Sequence, residues 1–199
     1  MTDRSFSVRE PISDARARFD ALSNYEVTVC STPSRGDAVE MRFRFAKPGF
    51  VRMDFIRPYP GVVLAYNPET DEALLWPFGF RTFPLLTLAP GNPLIRGPSG
   101  HRIDRCDLGA LLANVRDLQC VGVTEFAGQE AVGSRLAARV VVTGAPGCDA
   151  SGVGRYQLWL DLATGLPVKV ISADRQGDLI ETVTMDDLRV DVPEIEPFL

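Results

Sequence analysis

The chain has 199 residues, 45% of them hydrophobic, 9% aromatic and 24% charged, which is enough to bury a core in one domain and excludes the disordered and fibrous classes. A net charge of −5 without any long run of Lys or Arg excludes a phosphate-attracting surface, so nucleic acid is not an expected partner. The longest apolar stretches, around 85–88 and 137–142, fall far short of the ~20 residues that a membrane helix needs.

The first predicted element is a helix over 8–22, because Val8, Ile12, Ala15, Phe19 and Leu22 recur at steps of four and three. Pro11 is tolerated only near a helix start, and Ser23-Asn24 ends it. From Tyr25 the period becomes two, and strands are expected over 25–78. Val39, Met41, Phe43 and Phe45 alternate with Glu40, Arg42 and Arg44, and after Lys47-Pro48-Gly49 the residues Val51, Met53 and Phe55 alternate with Arg52, Asp54 and Arg57. One apolar and one charged face suit an antiparallel sheet that covers a core on one side, with the four arginines Arg42, Arg44, Arg52 and Arg57 toward solvent.

The stretch 79–99 mixes Pro and Gly with Phe80, Phe83, Leu85, Leu86, Leu88, Leu94 and Ile95 without a period, so it reads as an apolar loop that something covers. A second helix follows, capped by Asp104 or Asp107, with Leu108, Leu111, Leu112, Val115 and Leu118 on one face; loop and helix together span 79–119. Strands resume over 122–190, bounded by Gly, Asp and Pro turns, and 191–199 is a tail.

The four cysteines Cys30, Cys106, Cys120 and Cys148 show no Cys-x-x-Cys spacing, and the single histidine cannot complete a zinc set, so neither metal nor cofactor is expected. A straight helix would hold Cys106 and Cys120 ~20 Å apart, too far for a disulfide, and free thiols are the simpler expectation. Met1-Thr2-Asp3-Arg4 does not begin a secretory signal, which leaves a cytoplasmic protein or one whose export signal lay upstream of Met1.

The order of Lys47-Pro48-Gly49, Asp54-Phe55-Ile56-Arg57-Pro58-Tyr59-Pro60 and Tyr66-Asn67-Pro68 resembles the bacterial outer-membrane lipoprotein carriers of the LolA/LolB type. So do Arg155 to Asp161 with Thr164-Gly165-Leu166-Pro167-Val168-Lys169, and Gly177 to Thr182. The resemblance implies a mainly β, single-domain α+β fold: a strongly curved antiparallel sheet forming a half-open barrel, with the N-terminal helix and the mid-chain helix and loop as a lid. It implies a periplasmic or envelope location in a Gram-negative bacterium, with the export signal or lipobox removed. The implied partners are a lipid acyl chain or lipoprotein and a release or acceptor protein of the inner or outer membrane. Lys47 matches the position of an Arg that ties the lid in the carriers; a lysine lacks the planar fork that makes that set of bonds.

The expected ligand-binding residues are Met41, Phe43, Phe45, Val51, Met53, Phe55, Trp76, Leu111, Leu112, Val115 and Trp159, with Lys47 as the lid contact. At ~0.8 kcal/mol per buried CH₂, an enclosed acyl chain supplies on the order of 10 kcal/mol before ordering costs, without any specific polar motif. No catalytic residues are expected. Ser99, His101 and Asp104 lie too close together in sequence for triad geometry, and no nucleophile elbow is present. Asp186-Asp187 and Glu194/Glu196 read as solvated surface. Two alternatives remain at this level: a small-molecule enzyme using the same cavity, with His101 as its candidate, and an envelope sensor or regulatory module that binds a protein segment. The oligomeric state is left open.

Overall fold

The computed structural model describes residues 10–97, 99–193 and 198–199, so Val8, Glu194 and Glu196 lie outside the described residues. Two helices, α1 (Pro11–Ala21) and α2 (Leu108–Cys120), accompany eleven strands. In chain order these are β1 (Asn24–Pro33), β2 (Val39–Ala46), β3 (Phe50–Arg57), β4 (Val63–Asn67), β5 (Glu72–Trp76), β6 (Leu86–Leu88), β7 (Gly122–Val132), β8 (Arg135–Gly144), β9 (Arg155–Asp161), β10 (Pro167–Ala173) and β11 (Leu179–Val190). All belong to one sheet in the order β6-β5-β4-β3-β2-β1-β11-β10-β9-β8-β7, which ends at two edges and does not close. The mainly β, antiparallel fold expected from the sequence is the one found. Among the described residues no helix is long and apolar enough to cross a membrane.

The chain divides into two compact units, each made of two sequence segments. Unit 1 takes the described residues up to Ala21 and Leu108–Thr184; unit 2 takes Leu22–Asp107 and the described residues from Met185 onward, so β11 contributes to both.

In unit 1 both helices pack as their periodicity requires. Ile12, Ala15 and Phe19 of α1 and Leu108, Leu112, Val115 and Leu118 of α2 are buried, each such large side chain contributing about 1.5–3 kcal/mol. The helices meet where Arg16 of α1 donates to the Gly109 carbonyl of α2 at 3.3 Å. Close packing of α2 on β7 and β8 depends on a cross-strand glycine pair, Gly122 and Gly144. A Cβ on Gly144 would sit 2.6 Å from Leu118 Cδ1, and one on Gly122 would sit 2.1 Å from the Thr143 oxygen. The β9–β10 hairpin is held by Asp161, whose Oδ2 accepts from Thr164 Oγ1 (2.8 Å), Thr164 N (3.1 Å) and Arg135 (3.1 Å). Gly165 supplies the positive φ that the turn needs.

Unit 2 is an antiparallel meander. The stretch 79–99, expected as loop throughout, adds β6, which extends the sheet by pairing Leu75 with Leu86 and Ala73 with Leu88. Two 3-10 turns follow, Pro93–Ile95 and Ile103–Arg105, and the second packs on β4 and buries Ile103. The apolar loop is not wholly covered, because Phe83, Leu85 and Leu94 stand exposed. Both α-helices belong to unit 1, so unit 2 has none among its described residues.

Candidate functional site

The register of unit 2 assembles one continuous apolar face. Tyr25 pairs with Phe45, Val27 with Phe43 and Val29 with Met41. These pair in turn with Val51, Met53 and Phe55, and Val51 and Met53 with Tyr66 and Leu64. Tyr25 stacks on Phe43 and Phe45 with ring centroids 5.9 and 5.3 Å apart. Tyr25, Val27, Leu64 and Tyr66 were not among the expected site residues, although the two-residue alternation that marked β2 and β3 also runs through β1.

Exposure along this face is uneven. Tyr25, Val27, Phe43, Phe45 and Val51 are buried, and so is Val39 two residues before Met41, whereas Val29, Met41 and Phe55 are only half-buried. There Tyr59, 58% exposed, sets its ring edge-on to Phe55 at 6.3 Å.

The opposite face of unit 2 departs from expectation. Arg44 and Arg52 are directly paired across β2 and β3, and both are buried, Arg44 to 2% exposure. Two guanidiniums this close repel, and Asp54 resolves the conflict by accepting from Arg44 at 2.5 Å and from Arg52 at 2.7 Å. Glu26 lies 3.7 Å from Arg44 and also meets Arg189, while Arg52 stacks on the Phe80 ring 3.8 Å from its centroid. The expected solvent side therefore holds only Arg42 and Arg57, the latter paired with Glu40.

Trp76 lies on this second face, with Val63, Ala65, Leu74 and Phe80, and so is separated by the sheet from Phe43 and Met53. Trp159 shows the same displacement in unit 1. Its ring packs with Ala137 and Val168, the Lys169 amine stands 4.5 Å from its centroid, and its Nε1 donates to Glu130. The α2 side of that sheet is instead marked by Tyr156, which hydrogen-bonds Asn114 of α2. Leu112 and Val115 are buried and Leu111 half-buried in unit 1.

Burial, assisted by the negative field of Glu181, pushes the Tyr156 phenol up to about 12. In unit 2 burial and a hydrogen bond donated to Asp71 at 2.9 Å push Tyr66 up to about 12 as well.

Lys47 follows β2 as an exposed residue whose amide donates to the Ser23 carbonyl at 3.0 Å. Asp104, the acid of the candidate triad, receives both Nε and Nη2 of Arg102 at 2.9 and 2.8 Å. Asp186 and Asp187 are exposed, as expected. The four cysteines are free, and burial pushes the Cys106 thiol far up. Among the described residues no cluster of His, Cys, Asp or Glu could hold a metal ion.

No family model matches the chain, and no curated protein matches its sequence. Solved structures do match along nearly the whole chain. LprF from Mycobacterium bovis shares 15% identity over 97% of this chain and 98% of its own, with a TM-score of 0.56. The lipoprotein LppX from Mycobacterium tuberculosis shares 12% over 95% and 99%, with a TM-score of 0.55. The MucA/MucB complex from Pseudomonas aeruginosa matches at 16% over 92% of this chain but 59% of the other, with a TM-score of 0.53. At these identities the likeness is one of fold, and it agrees with the mainly β fold that the sequence resemblance implied.

Proposed function

We propose that the chain is a non-catalytic carrier or sensor of the bacterial envelope that receives an acyl chain, free or as the lipid part of a lipoprotein, against the apolar face of unit 2. The carrying observation is that an otherwise buried, continuous apolar face leaves Val29, Met41 and Phe55 only half-buried. Entry beside Met41 and Phe55 would extend burial along side chains that already prefer oil. The fold shared with the lipoprotein LppX supports the same reading.

Native mass spectrometry and organic extraction of the protein purified from bacterial envelopes test it. Bound lipid is expected, with Met41→Glu and Phe55→Glu lowering its amount roughly tenfold, since each charge would meet an apolar guest at the half-buried positions. Protein that is empty after such purification, and that takes up no fluorescent fatty acid, would overturn the proposal.

A second reading, a regulatory module that binds a protein segment, is supported by the structural neighbour solved as a MucA/MucB complex. Enrichment of one envelope protein together with an empty apolar face would favour it. The enzyme reading loses support, because Arg102 already engages the carboxylate that would orient His101.

A further inference from the structure

None of the chain's 26 Asp and Glu residues lies between Glu72 and Asp104, whereas Arg81, Arg96 and Arg102 all do. In a chain of net charge −5 this stretch is a local exception. It also leaves large apolar side chains in solvent: Phe83 is 93% exposed and Phe78 74%, with Leu85 and Leu86 exposed beside them in sequence. Arg81, Phe83 and Leu85 line one open groove of about 460 Å³ together with Leu74, Trp76 and Leu199. Arg81 is fixed there by a 2.6 Å hydrogen bond to the Leu199 oxygen and by stacking on Phe80.

Singly exposed apolar residues need no explanation, but two protruding rings within five residues of a cation in sequence, one of them sharing its groove, in a stretch without carboxylates, form a surface with a definite preference. A strand from another chain is a poor occupant. Edge strand β6 has only three residues and is bounded by Pro84 and Pro90, which blunts it against pairing. An anionic lipid surface fits on both counts: rings enter the acyl boundary, guanidiniums stay at the phosphates, and the stretch itself carries no acid.

We propose that the stretch from Phe78 to Arg96 docks unit 2 on an anionic bilayer, with Phe78, Phe83 and Leu85 entering the lipid and Arg81 and Arg96 supplying the attraction. The docking stands apart from the carriage of a guest, so it is tested on the full chain stripped of lipid.

Flotation with vesicles of phosphatidylcholine, or of a mixture in which roughly a third of the lipid is phosphatidylglycerol, reads it out. Wild type is expected on the anionic vesicles, with binding weakened by salt. Phe83→Glu should lower the bound fraction roughly tenfold, and Arg96→Glu should reduce the preference for anionic over neutral vesicles. Both substitutions fall on exposed side chains, and an unchanged urea midpoint confirms intact variants. Equal flotation of wild type and Phe83→Glu overturns the proposal. So does a wild type that ignores anionic vesicles, or a dimer in solution that Phe83→Glu dissociates while vesicles leave wild type unbound.

Discussion

Units 1 and 2 are both largely antiparallel sheet, yet they bury their two faces by different means. In unit 1 two helices supply Leu112, Val115 and Leu118, and a tight glycine pair lets α2 settle on the strands. Unit 2 has no α-helix among its described residues, and its second face is sealed by an ionic cluster around Arg44, Arg52 and Asp54 with Phe80 stacked against it. A core of close-packed hydrocarbon tolerates little rearrangement. The apolar side of unit 2 is buried at Tyr25, Phe45 and Val51 and only half-buried at Met41 and Phe55, and the carrier proposal uses that incomplete covering.

The largest expected effect breaks the ionic seal. Asp54→Ala removes the carboxylate shared by two adjacent buried guanidiniums, while Glu26 stays 3.7 Å from Arg44 and Phe80 stays stacked on Arg52. Stranding a buried charge costs about 3–5 kcal/mol, and the lower end applies here because Asp54 is a quarter exposed and Arg44 keeps Glu26. Urea unfolding should report a loss of about 3 kcal/mol. Hydrogen exchange should place the first increase in β2 and β3 of unit 2, and an equal increase through α2 and β8 would deny that the two units are sealed independently.

How much of this was legible depended on whether a strand's two faces differ in polarity. In β2 and β3 they do, so Met41, Phe43, Phe45, Val51, Met53 and Phe55 were assigned to one face, and the register agrees. In β5 and β9 they do not: Trp76 follows Leu74 and Leu75, and Trp159 stands between Leu158 and Leu160, so alternation had no contrast with which to orient either ring. The burial of Arg44 and Arg52 was hidden for another reason. A charged alternation looks solvated until the register brings Asp54 and Glu26 beside it, and that register is a long-range fact. Strand β6 was missed because Leu85-Leu86-Thr87-Leu88 between prolines has neither period nor length.

A smaller effect tests the polar side of unit 1. The Tyr156 phenol, raised to about 12 by burial, stays protonated in the folded chain while an unfolded tyrosine ionises near 10. Between those values the unfolded state binds fewer protons, so stability is full below pH ~10 and falls as pH rises toward 12. The loss through this group amounts to about 2–3 kcal/mol, and Tyr156→Phe should flatten that part of the stability curve. Tyrosinate absorbance would show a late-titrating class that Tyr156→Phe depletes; its persistence in full would assign the late class to Tyr66 alone.

The smallest effect completes the contrast inside unit 2. Arg57 lies three residues beyond Asp54 on β3 and pairs with Glu40, but its side chain is 76% exposed. Water already solvates that guanidinium, so the pair gains little from Coulomb attraction and loses side-chain freedom in forming. Arg57→Ala should therefore change stability by less than about 1 kcal/mol, with salt removing most of even that. Measured beside Asp54→Ala in the same urea series, it isolates burial as the variable, since both substitutions break an arginine–carboxylate pair on one strand. Comparable losses from the two would mean that charge pairing along the whole of β3, and not the sealed cluster around Arg44, holds the second face of unit 2 together.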